Sequence, residues 1–349
     1  MQALIVEDDV RLASALARIL NENGYVTDVV HDGQDGYDYA SSGIYDVVIL
    51  DDFSTGRREF VGDRPLYEGD IADDSLLDRL LGEQRIDAVV HCAAKIIVPE
   101  SVSEPLAYYE NNVAKTVALL AALQRNGVER FLFSSSASIY APDENFVVTE
   151  DSPLQPGSPY ARTKFMVELI LEDFTRASDV RVASLRYFNP IGTDPKLRSG
   201  QQLENPSHVL AKLLEAWVNK ETFTVTGVDW PTRDGSGIRD FIHVWDLARA
   251  HVAALEHFDE ATAADPYQVF NIGTGNGVTV KELAASFEKI TGDPLKVRFG
   301  DPRPGDVAGV YTVSTKAKDV LGWEAELTET DAVRDAIAWL PVRKEKLGY

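Results

Sequence analysis

Several features are missing from this 349-residue chain, and each absence excludes a class of protein. The chain has one cysteine, Cys92, so no disulfide can form within it. No apolar run approaches the roughly 18 residues that a membrane-spanning helix needs. The opening letters, MQALIVEDD, place acids where a secretory signal carries a basic end and an apolar stretch. We therefore expect a soluble cytoplasmic protein.

Positive charge is also scarce. The 34 lysines and arginines are outnumbered by 56 acidic residues, so the formal net charge is −22 at pH 7. A surface of this sign repels DNA, RNA and anionic membranes. A phosphorylated small molecule is not excluded, because a few local arginines and lysines can bind it.

The residues that are present predict an α/β fold. Short apolar runs without alternation suit strands buried on both faces. The predicted strands are Ala3–Val6, Val26–Val30, Val47–Leu50, Ala88–His91, Phe131–Ser134 and Val182–Tyr187. The predicted helices include Arg11–Asn21, Leu76–Leu81, Val113–Asn126 and Thr163–Thr175. Strands that alternate with helices predict a doubly wound, mostly parallel sheet of the Rossmann type.

The composition and the loop content of the sequence change after about residue 190. Loops rich in Gly and Pro multiply, as in NPIGTDPKLRSG and DWPTRDGSGIRD, and helices continue at 207–219 and 244–258. We predict a smaller α/β substrate domain, mainly 191–349, over the carboxyl edge of the sheet, where open α/β sheets bind ligands. Residues 51–190 would form most of the first domain, and residues 1–51 its start.

The segment SPYARTKFMVELILEDF, residues 158–174, contains a tyrosine and a lysine four positions apart. If a helix begins at Pro159, Tyr160 and Lys164 share one face. A nearby ammonium stabilises a phenolate and lowers the pKa of a tyrosine from its usual value of about 10. Tyr160 is therefore a candidate base near neutral pH, although such a pair also occurs on ordinary exposed helix faces.

Upstream of this pair, FLFSSSASIY is an apolar strand that ends in three serines. Serine hydroxyls at a strand end can hydrogen-bond a substrate hydroxyl or a cofactor amide, or they can simply cap a helix. The serine-ended strand and the tyrosine–lysine pair, 24 residues apart from Ser136 to Tyr160, form a more specific combination than either alone.

At these residues the chain resembles the extended short-chain dehydrogenase/reductase family, and residues 51–349 resemble its UDP-glucose 4-epimerase branch. The matching segments are LDDFSTGRREF, YEGDIAD, VVHCAA, PESVSEPLAYYENNV, FSSSASIY, SPYARTKFMVE, LRYFNPIGTD, DGSGIRDFIHVWDLARAH, FNIGTGNGVTVKEL and RPGDVAGVYT. The run GIRDFIHVWDLARAH with RYFN is more specific than the tyrosine–lysine spacing. A sugar-nucleotide dehydratase is disfavoured, because that branch carries Thr-Asp-Glu where this chain has Ser135, Ser136 and Ala137.

The resemblance implies an NAD-dependent isomerase that inverts C4 of a UDP-hexose, UDP-glucose or UDP-galactose. Tyr160 would take the proton of the 4-hydroxyl, while the C4 hydride passes to tightly held NAD and returns to the other face of the 4-keto sugar. Lys164 would lower the pKa of Tyr160 and bind the nicotinamide ribose, and Ser136 would hydrogen-bond the 4-oxygen. A homodimer is also implied, through helices such as Val113–Asn126 and Lys164–Thr175.

Further site residues carry over from the same resemblance. Those expected at NAD are Asp51, Asp52, Asp70, Ile71, Cys92, Ala93, Ala94, Asn111, Ser134 and Phe188. Those expected at the UDP-sugar, besides Ser136, are Asn189, His208, Arg239, Arg303 and Asp306. Arginine suits a diphosphate because its guanidinium binds two oxygens at once. His208 stands in SHVL, where the family has an Asn–Leu pair near the uracil.

The front of the chain departs from the family pattern. The family opens with strand–GxxGxxG–helix, whose glycines let backbone amides approach the pyrophosphate. Here the first strand leads into EDDVRLASALARIL. Residues 1–51 instead resemble the start of a response-regulator receiver domain, a flavodoxin-like fold. In that interpretation Glu7 and Asp8 would help to bind Mg²⁺, and Asp51 would accept a phosphoryl group.

Two roles therefore stay open for Asp51, ribose ligand or phosphoacceptor, and we interpret the chain as a chimera joined at VVILD. The alternatives to an epimerase are an inactive chimera and a signalling module phosphorylated at Asp51. Receiver and dinucleotide folds order their strands differently, so Val26–Val30 and Ala88–His91 should compete for one edge of the first strand. That competition would displace the former or enlarge the sheet. The glycine-rich NIGTGNG, residues 271–277, is interpreted as structural.

Overall fold

The computed structural model describes part of the chain in full and two strands by their backbone alone. Full description covers residues 47–349 apart from 62–63, 142, 205 and 303–305, and the backbone-only strands are Gln2–Glu7 and Val26–Val29. The predicted helix Arg11–Asn21 lies outside the described residues, as do Asp8, Arg303 and the side chain of Glu7.

A large parallel sheet forms the centre of the first half of the fold. The strands of the molecule are β1 (Gln2–Glu7), β2 (Val26–Val29), β3 (Ile49–Asp51), β4 (Leu66–Glu68), β5 (Ala88–Cys92), β6 (Arg130–Ser136), β7 (Val147–Val148), β8 (Arg181–Tyr187), β9 (Asn189–Ile191), β10 (Thr222–Thr226), β11 (Ile238–His243), β12 (Tyr267–Ile272), β13 (Gly277–Thr279), β14 (Lys296–Gly300) and β15 (Tyr311–Thr312). The sheet order is β12-β8-β6-β5-β1-β3-β4, with β2 also paired to β1. These pairings are parallel, which confirms the predicted doubly wound fold.

Strand β1 has partners on both edges. Ala3 pairs with Thr27 of β2 and with Ala88 of β5, so those two strands lie on opposite edges of β1. Strand β3 reaches β1 at a single residue pair. The prediction that the strands at 26–30 and 88–91 compete for one edge is therefore wrong. The sheet accommodates both and is enlarged to eight strands, the second of the two outcomes expected.

Helices connect the strands. They are α1 (Asp74–Glu83), α2 (Val98–Ser103), α3 (Pro105–Tyr109), α4 (Lys115–Arg125), α5 (Pro159–Ala177), α6 (Val209–Asn219), α7 (Val244–Glu256), α8 (Phe258–Ala261), α9 (Val280–Thr291), α10 (Lys316–Leu321) and α11 (Glu329–Leu347). A π-helical turn at Glu110–Ala114 leads into α4, and a 3₁₀ turn at Ala137–Ile139 follows β6. Among the described helices, none has both the length and the apolar character that crossing a bilayer requires.

A second core lies in the part of the chain after residue 190. Strands β9, β11 and β13 form one small sheet and β10 and β14 another. Their apolar side chains, with Phe223 and Phe241 among them, pack against those of α6, α9 and α11, which include Phe287 of α9. Leu247 of α7 and Phe270 of β12 are instead buried in the first core. The two cores thus interleave along the chain, and the domain boundary near 190 stays a prediction.

Candidate active site

The candidate active site lies at the carboxyl edge of the large sheet. Strand β3 ends there at Asp51, β5 at Cys92 and β6 at Ser136. The backbone of Glu7, the last residue of β1, pairs with Cys92. Parallel strands end at the same edge, so residues far apart in the sequence meet where a doubly wound sheet binds ligands.

Helix α5 carries the predicted catalytic pair. The Ala161 N–H donates to the Ser158 hydroxyl at 3.1 Å, and Pro159 occupies the first turn. Both features favour a helix start at Pro159, the condition under which the two side chains share one face, and the helix is longer than the predicted Thr163–Thr175. Tyr160 and Lys164 then lie one turn apart, and only 7% and 2% of their surfaces are exposed. Both polar groups are withdrawn from solvent, which is typical of groups that control a proton.

Lys164 is held by the serine-ended strand. Its Nζ donates to the backbone carbonyl of Ser134 at 2.8 Å and lies 5.1 Å from the ring centre of Phe133. A buried ammonium needs such hydrogen-bond and aromatic partners. The structure thus brings together Lys164 and Ser134, two of the residues predicted from the sequence.

The three serines of β6 have different partners. The Ser134 hydroxyl lies 2.7 Å from the Cys92 sulfur and 3.1 Å from Nε2 of His251. Ser135 donates to the carboxylate of Glu168 on α5. The Ser136 hydroxyl lies at the very end of the strand, 8% exposed, and donates to Ser138 at 3.0 Å. Of the three, Ser136 is therefore the one placed to reach a substrate.

A buried ion pair fixes α5 on the sheet. Arg186 of β8 and Glu168 of α5 are joined by a 2.6 Å contact, with both side chains almost fully buried. Arg186 also donates to the hydroxyl of Tyr140 at 3.0 Å, and that hydroxyl donates to Asn271 at 2.6 Å. Burial raises the pKa of Tyr140 to about 12. Tyr140 is therefore a structural hydrogen-bond donor at neutral pH.

Asn112 joins the π-helical turn to the catalytic helix. Its side chain accepts from the N–H of Lys95 at 2.8 Å and donates to the carbonyl of Lys95 and to Thr163, both at 3.0 Å. The neighbouring Asn111, predicted to lie at the nicotinamide, donates to the Asn112 side chain at 3.1 Å. The turn thus places Asn112 against α5, at the residue next to Lys164.

Asp51 ends β3 in a tight acidic turn. Its carboxylate, 6% exposed, accepts from the N–H of Phe53 at 2.6 Å. The Asp52 carboxylate accepts from the N–H of Ser54 at 2.8 Å. Phe53 has a φ of 53°, an uncommon value for a residue with a side chain. This geometry holds the Asp51 carboxylate at the sheet edge, as a ribose ligand requires.

The other predicted cofactor residues lie along the same edge. The Asp70 carboxylate pairs with Lys115 at 2.6 Å and accepts from the N–H of Ala72 at 2.9 Å. The remaining members of this group are buried or half-buried, and they are Ile71, Cys92, Ala93, Ala94 and Phe188. Their contacts with NAD remain predictions.

The predicted substrate residues come from the second half of the chain. Asn189 of β9 pairs through its backbone with Phe241 of β11. Arg239 of β11 donates to the carbonyls of Ile238 and Ala308, both at 2.7 Å, and thereby holds the segment that follows Asp306. His208 immediately precedes helix α6, and Arg303 lies outside the described residues. Their contacts to a UDP-sugar stay predictions.

The glycine-rich turn at 271–277 surrounds a carboxylate of the protein itself. Asp240 accepts from the N–H and the hydroxyl of Thr274, both at 2.7 Å, and from the N–H groups of Gly275 at 3.2 Å and Thr312 at 3.3 Å. The amides that a phosphate would need are therefore already engaged, which agrees with the structural interpretation of this turn.

Comparison with known proteins agrees with this geometry. The model of the NAD dependent epimerase/dehydratase family matches residues 14–273. The chain belongs to this family. The UDP-glucose 4-epimerase of Bacillus subtilis is 41% identical over 306 residues, which span 84% of this chain and 89% of that protein.

Solved structures show the same likeness. A UDP-glucose 4-epimerase from Stenotrophomonas maltophila, with bound NAD and formylated UDP-arabinopyranose, superposes with a TM-score of 0.85 at 32% identity and covers 99% of each chain. One from Bifidobacterium longum, in complex with NAD⁺ and UDP, gives a TM-score of 0.83 at 31% identity and covers 100% of each chain. The fold and NAD dependence of the family therefore extend to this chain.

These comparisons do not support the resemblance of residues 1–51 to a receiver domain. The family match begins at residue 14, and the structural likeness covers 99% of the chain. The proposed Mg²⁺ ligands, Glu7 and Asp8, have no described side chains. The receiver resemblance of residues 1–51 therefore gains no support from the family match or from the solved structures.

Four buried polar residues of the site were missed in the sequence. They are Asn112, Glu168, Arg186 and His251. Glu168 lies one helical turn beyond Lys164, a spacing that could have marked it as a neighbour. The contacts of the other three join residues that are distant in the sequence. No local sequence pattern therefore predicts them.

Proposed function

We propose that this NAD-dependent epimerase inverts C4 of a UDP-hexose, interconverting UDP-glucose and UDP-galactose. The observation that carries the proposal is the buried Tyr160–Lys164 pair, with Lys164 bonded to Ser134 at the carboxyl edge of the sheet. A buried ammonium next to a phenol favours the phenolate and so supplies a base for a sugar hydroxyl.

Each site residue has its own role in the proposed epimerisation. Tyr160 removes the proton from the sugar 4-hydroxyl and later returns it to the inverted 4-oxygen. Lys164 stabilises the phenolate, and Ser136 hydrogen-bonds the 4-oxygen. When bound, NAD supplies the acceptor for the C4 hydride. Arginine and amide side chains hold the UDP and leave the sugar free to turn, and these are Asn189, Arg239 and Arg303.

The described residues fit NAD at its nicotinamide and adenosine ends. Lys164 and Ser134 would hold the first end, and the Asp51 carboxylate would accept from ribose hydroxyls at the second. The pyrophosphate lies between these ends in the family fold. No glycine occurs before Gly24, so the chain lacks the usual glycines for that position.

Purified full-length protein tests this function directly. We expect bound nicotinamide in its absorbance spectrum and interconversion of UDP-glucose and UDP-galactose. Protein without NAD and without turnover, even when NAD is added, would refute the proposal. Incorporation of label from acetyl phosphate at Asp51 would instead support the phosphoacceptor role.

We also propose that the chain forms a homodimer through α4 and α5. Apolar side chains are exposed on these helices and on the adjacent α2 and α3, namely Val102, Leu106, Val117, Met166 and Leu169. A patch of this kind favours a second copy of the chain as its cover. Light scattering should give twice the chain mass, and Leu106→Lys, at a residue 80% exposed, should shift it to the monomer.

A further inference from the structure

Strand β6 loses its neighbour β5 at Ser134, the residue whose carbonyl accepts a hydrogen bond from Lys164. Pairing of β6 with β5 ends at Phe133, whereas pairing with β8 continues to Ser136. Ser134, whose carbonyl accepts from Lys164, is thus the first residue that β5 no longer pairs with. Its position on that side depends on contacts of its own side chain.

The hydrogen bonds of the Ser134 hydroxyl have a defined direction. Nδ1 of His251 lies 2.9 Å from the carbonyl oxygen of Leu247, which can only accept, so Nδ1 carries the proton. Nε2 of His251 is then an acceptor, and the Ser134 hydroxyl donates to it at 3.1 Å. The Cys92 thiol, 2.7 Å from the same hydroxyl, donates in turn. Burial keeps His251 neutral by lowering its pKa to about 4.

Successive serines of β6 form hydrogen bonds with helices on opposite faces of the sheet. Side chains alternate along a strand, so Ser134 reaches α7 on one face and Ser135 reaches α5 on the other. On the α5 side, Glu168 and its ion pair with Arg186 provide the support. On the α7 side the support is His251, which is fully buried.

We propose that His251 is a positioning residue for Lys164. It fixes the Ser134 hydroxyl and, through that residue, the carbonyl that holds the ammonium beside Tyr160. The inference rests on the proposed epimerase function, because the consequence is a correctly placed base for the sugar hydroxyl. It assigns a chemical role to the second histidine of HVWDLARAH, whose ring is fully buried and hydrogen-bonded to Ser134 and Leu247.

Steady-state kinetics of three variants test the inference. We expect His251→Leu to lower kcat about 10-fold while KM for the UDP-sugar stays unchanged, since UDP binds elsewhere. His251→Gln, which keeps an acceptor for Ser134, should recover most of the loss. His243→Gln is the matched control, because it removes a buried imidazole that hydrogen-bonds Asp335 instead, at 3.2 Å. A His251→Leu enzyme with wild-type kcat, or a loss shared by all three variants, would overturn the proposal.

A second measurement does not depend on turnover. Mass spectrometry of protein treated with an amine-specific reagent should show about 10-fold faster labelling of Lys164 in Ser134→Ala and His251→Leu than in wild type and His251→Gln. Unchanged Lys164 labelling in both variants would overturn the positioning role. If wild-type protein lacks epimerase activity, the proposed function fails, and the labelling result still decides the role of His251.

Discussion

The sequence segment after β1 and the turn after β12 are opposite in composition and in charge. The first, EDDVRLAS, has three acids and no glycine. The second, GTGNG, has three glycines in five residues, yet its amides donate to Asp240. The sequence segment expected at the phosphate thus carries acids, and the glycine-rich turn already encloses the carboxylate of Asp240.

The difference teaches that glycines alone do not identify a phosphate loop. Backbone amides bind a ligand only if the protein leaves them unoccupied at the edge where the ligand lies. The contrast also separates the two ends of the proposed NAD site. The proposed nicotinamide end, around Lys164 and Ser134, is assembled from buried groups, whereas the sequence at the proposed pyrophosphate end lacks the usual glycines.

The largest expected effect is at the nicotinamide end. Tyr160→Phe removes the proposed base, so kcat should fall about 10³-fold while bound NAD is retained. Measurement of turnover and nicotinamide absorbance on the same sample separates chemistry from binding. The matched control is Tyr267→Phe on β12, whose hydroxyl accepts from Ser184 at 3.5 Å. Equal losses in the two variants would contradict the role of Tyr160.

The turn after β12 should collapse without its internal carboxylate. Asp240→Ala removes the acceptor of three N–H groups, those of buried Thr312, half-buried Thr274 and exposed Gly275. We expect the free energy of unfolding to fall by about 3 kcal/mol, since a buried N–H group left unpaired costs about 1–3 kcal/mol and a half-buried one adds less. Urea denaturation measures this loss. A stable variant that binds phosphate in this turn would contradict the structural role assigned to the glycine-rich turn.

The same carboxylate predicts a pH dependence. Burial raises the pKa of Asp240, so protonation favours the folded state. Its contribution to stability is complete below the unfolded pKa of about 3.9 and is lost as the pH rises through the folded pKa. The destabilisation caused by Asp240→Ala should therefore be larger at pH 4 than at pH 8. A difference that grows with pH would contradict this.

Removal of the acids after β1 should strengthen NAD binding. The triple variant Glu7→Gln, Asp8→Asn, Asp9→Asn should raise the affinity about 30-fold, or roughly 2 kcal/mol, by lowering repulsion of the pyrophosphate. Titration of NAD by fluorescence at low and high salt measures the effect. The control removes three exposed charges elsewhere, through Glu129→Gln, Glu144→Gln and Glu345→Gln. An equal gain in the control would show a general charge effect.

The smallest expected effect is at the adenosine end. Asp51→Asn removes one acceptor for ribose hydroxyls, so NAD affinity should fall about 10-fold, while kcat with saturating NAD stays unchanged. Asp143→Asn is the control, because Asp143 forms a similar turn by accepting from the Asn145 N–H at 2.8 Å on an exposed loop. Unchanged NAD affinity in Asp51→Asn would argue against the ribose role.

Local patterns predicted much of the fold and the catalytic pair. Unbroken apolar runs such as Ala88–His91 became buried parallel strands, because only a strand covered on both faces tolerates such a run. The Ser158–Pro159 start and the four-residue spacing placed Tyr160 and Lys164 on one helix face. These features depend on neighbours within one or two helical turns.

The sequence by itself determined the parallel sheet, the start of α5 and the spacing of its catalytic pair, because propensity, capping and periodicity act over a few residues. Tertiary structure alone decided which strands flank β1, that Asp240 fills the glycine-rich turn, and that His251 holds Ser134. The physical reason is that Ser134 and His251 lie 117 positions apart in the sequence, so their hydrogen bond forms only when the fold brings distant elements together.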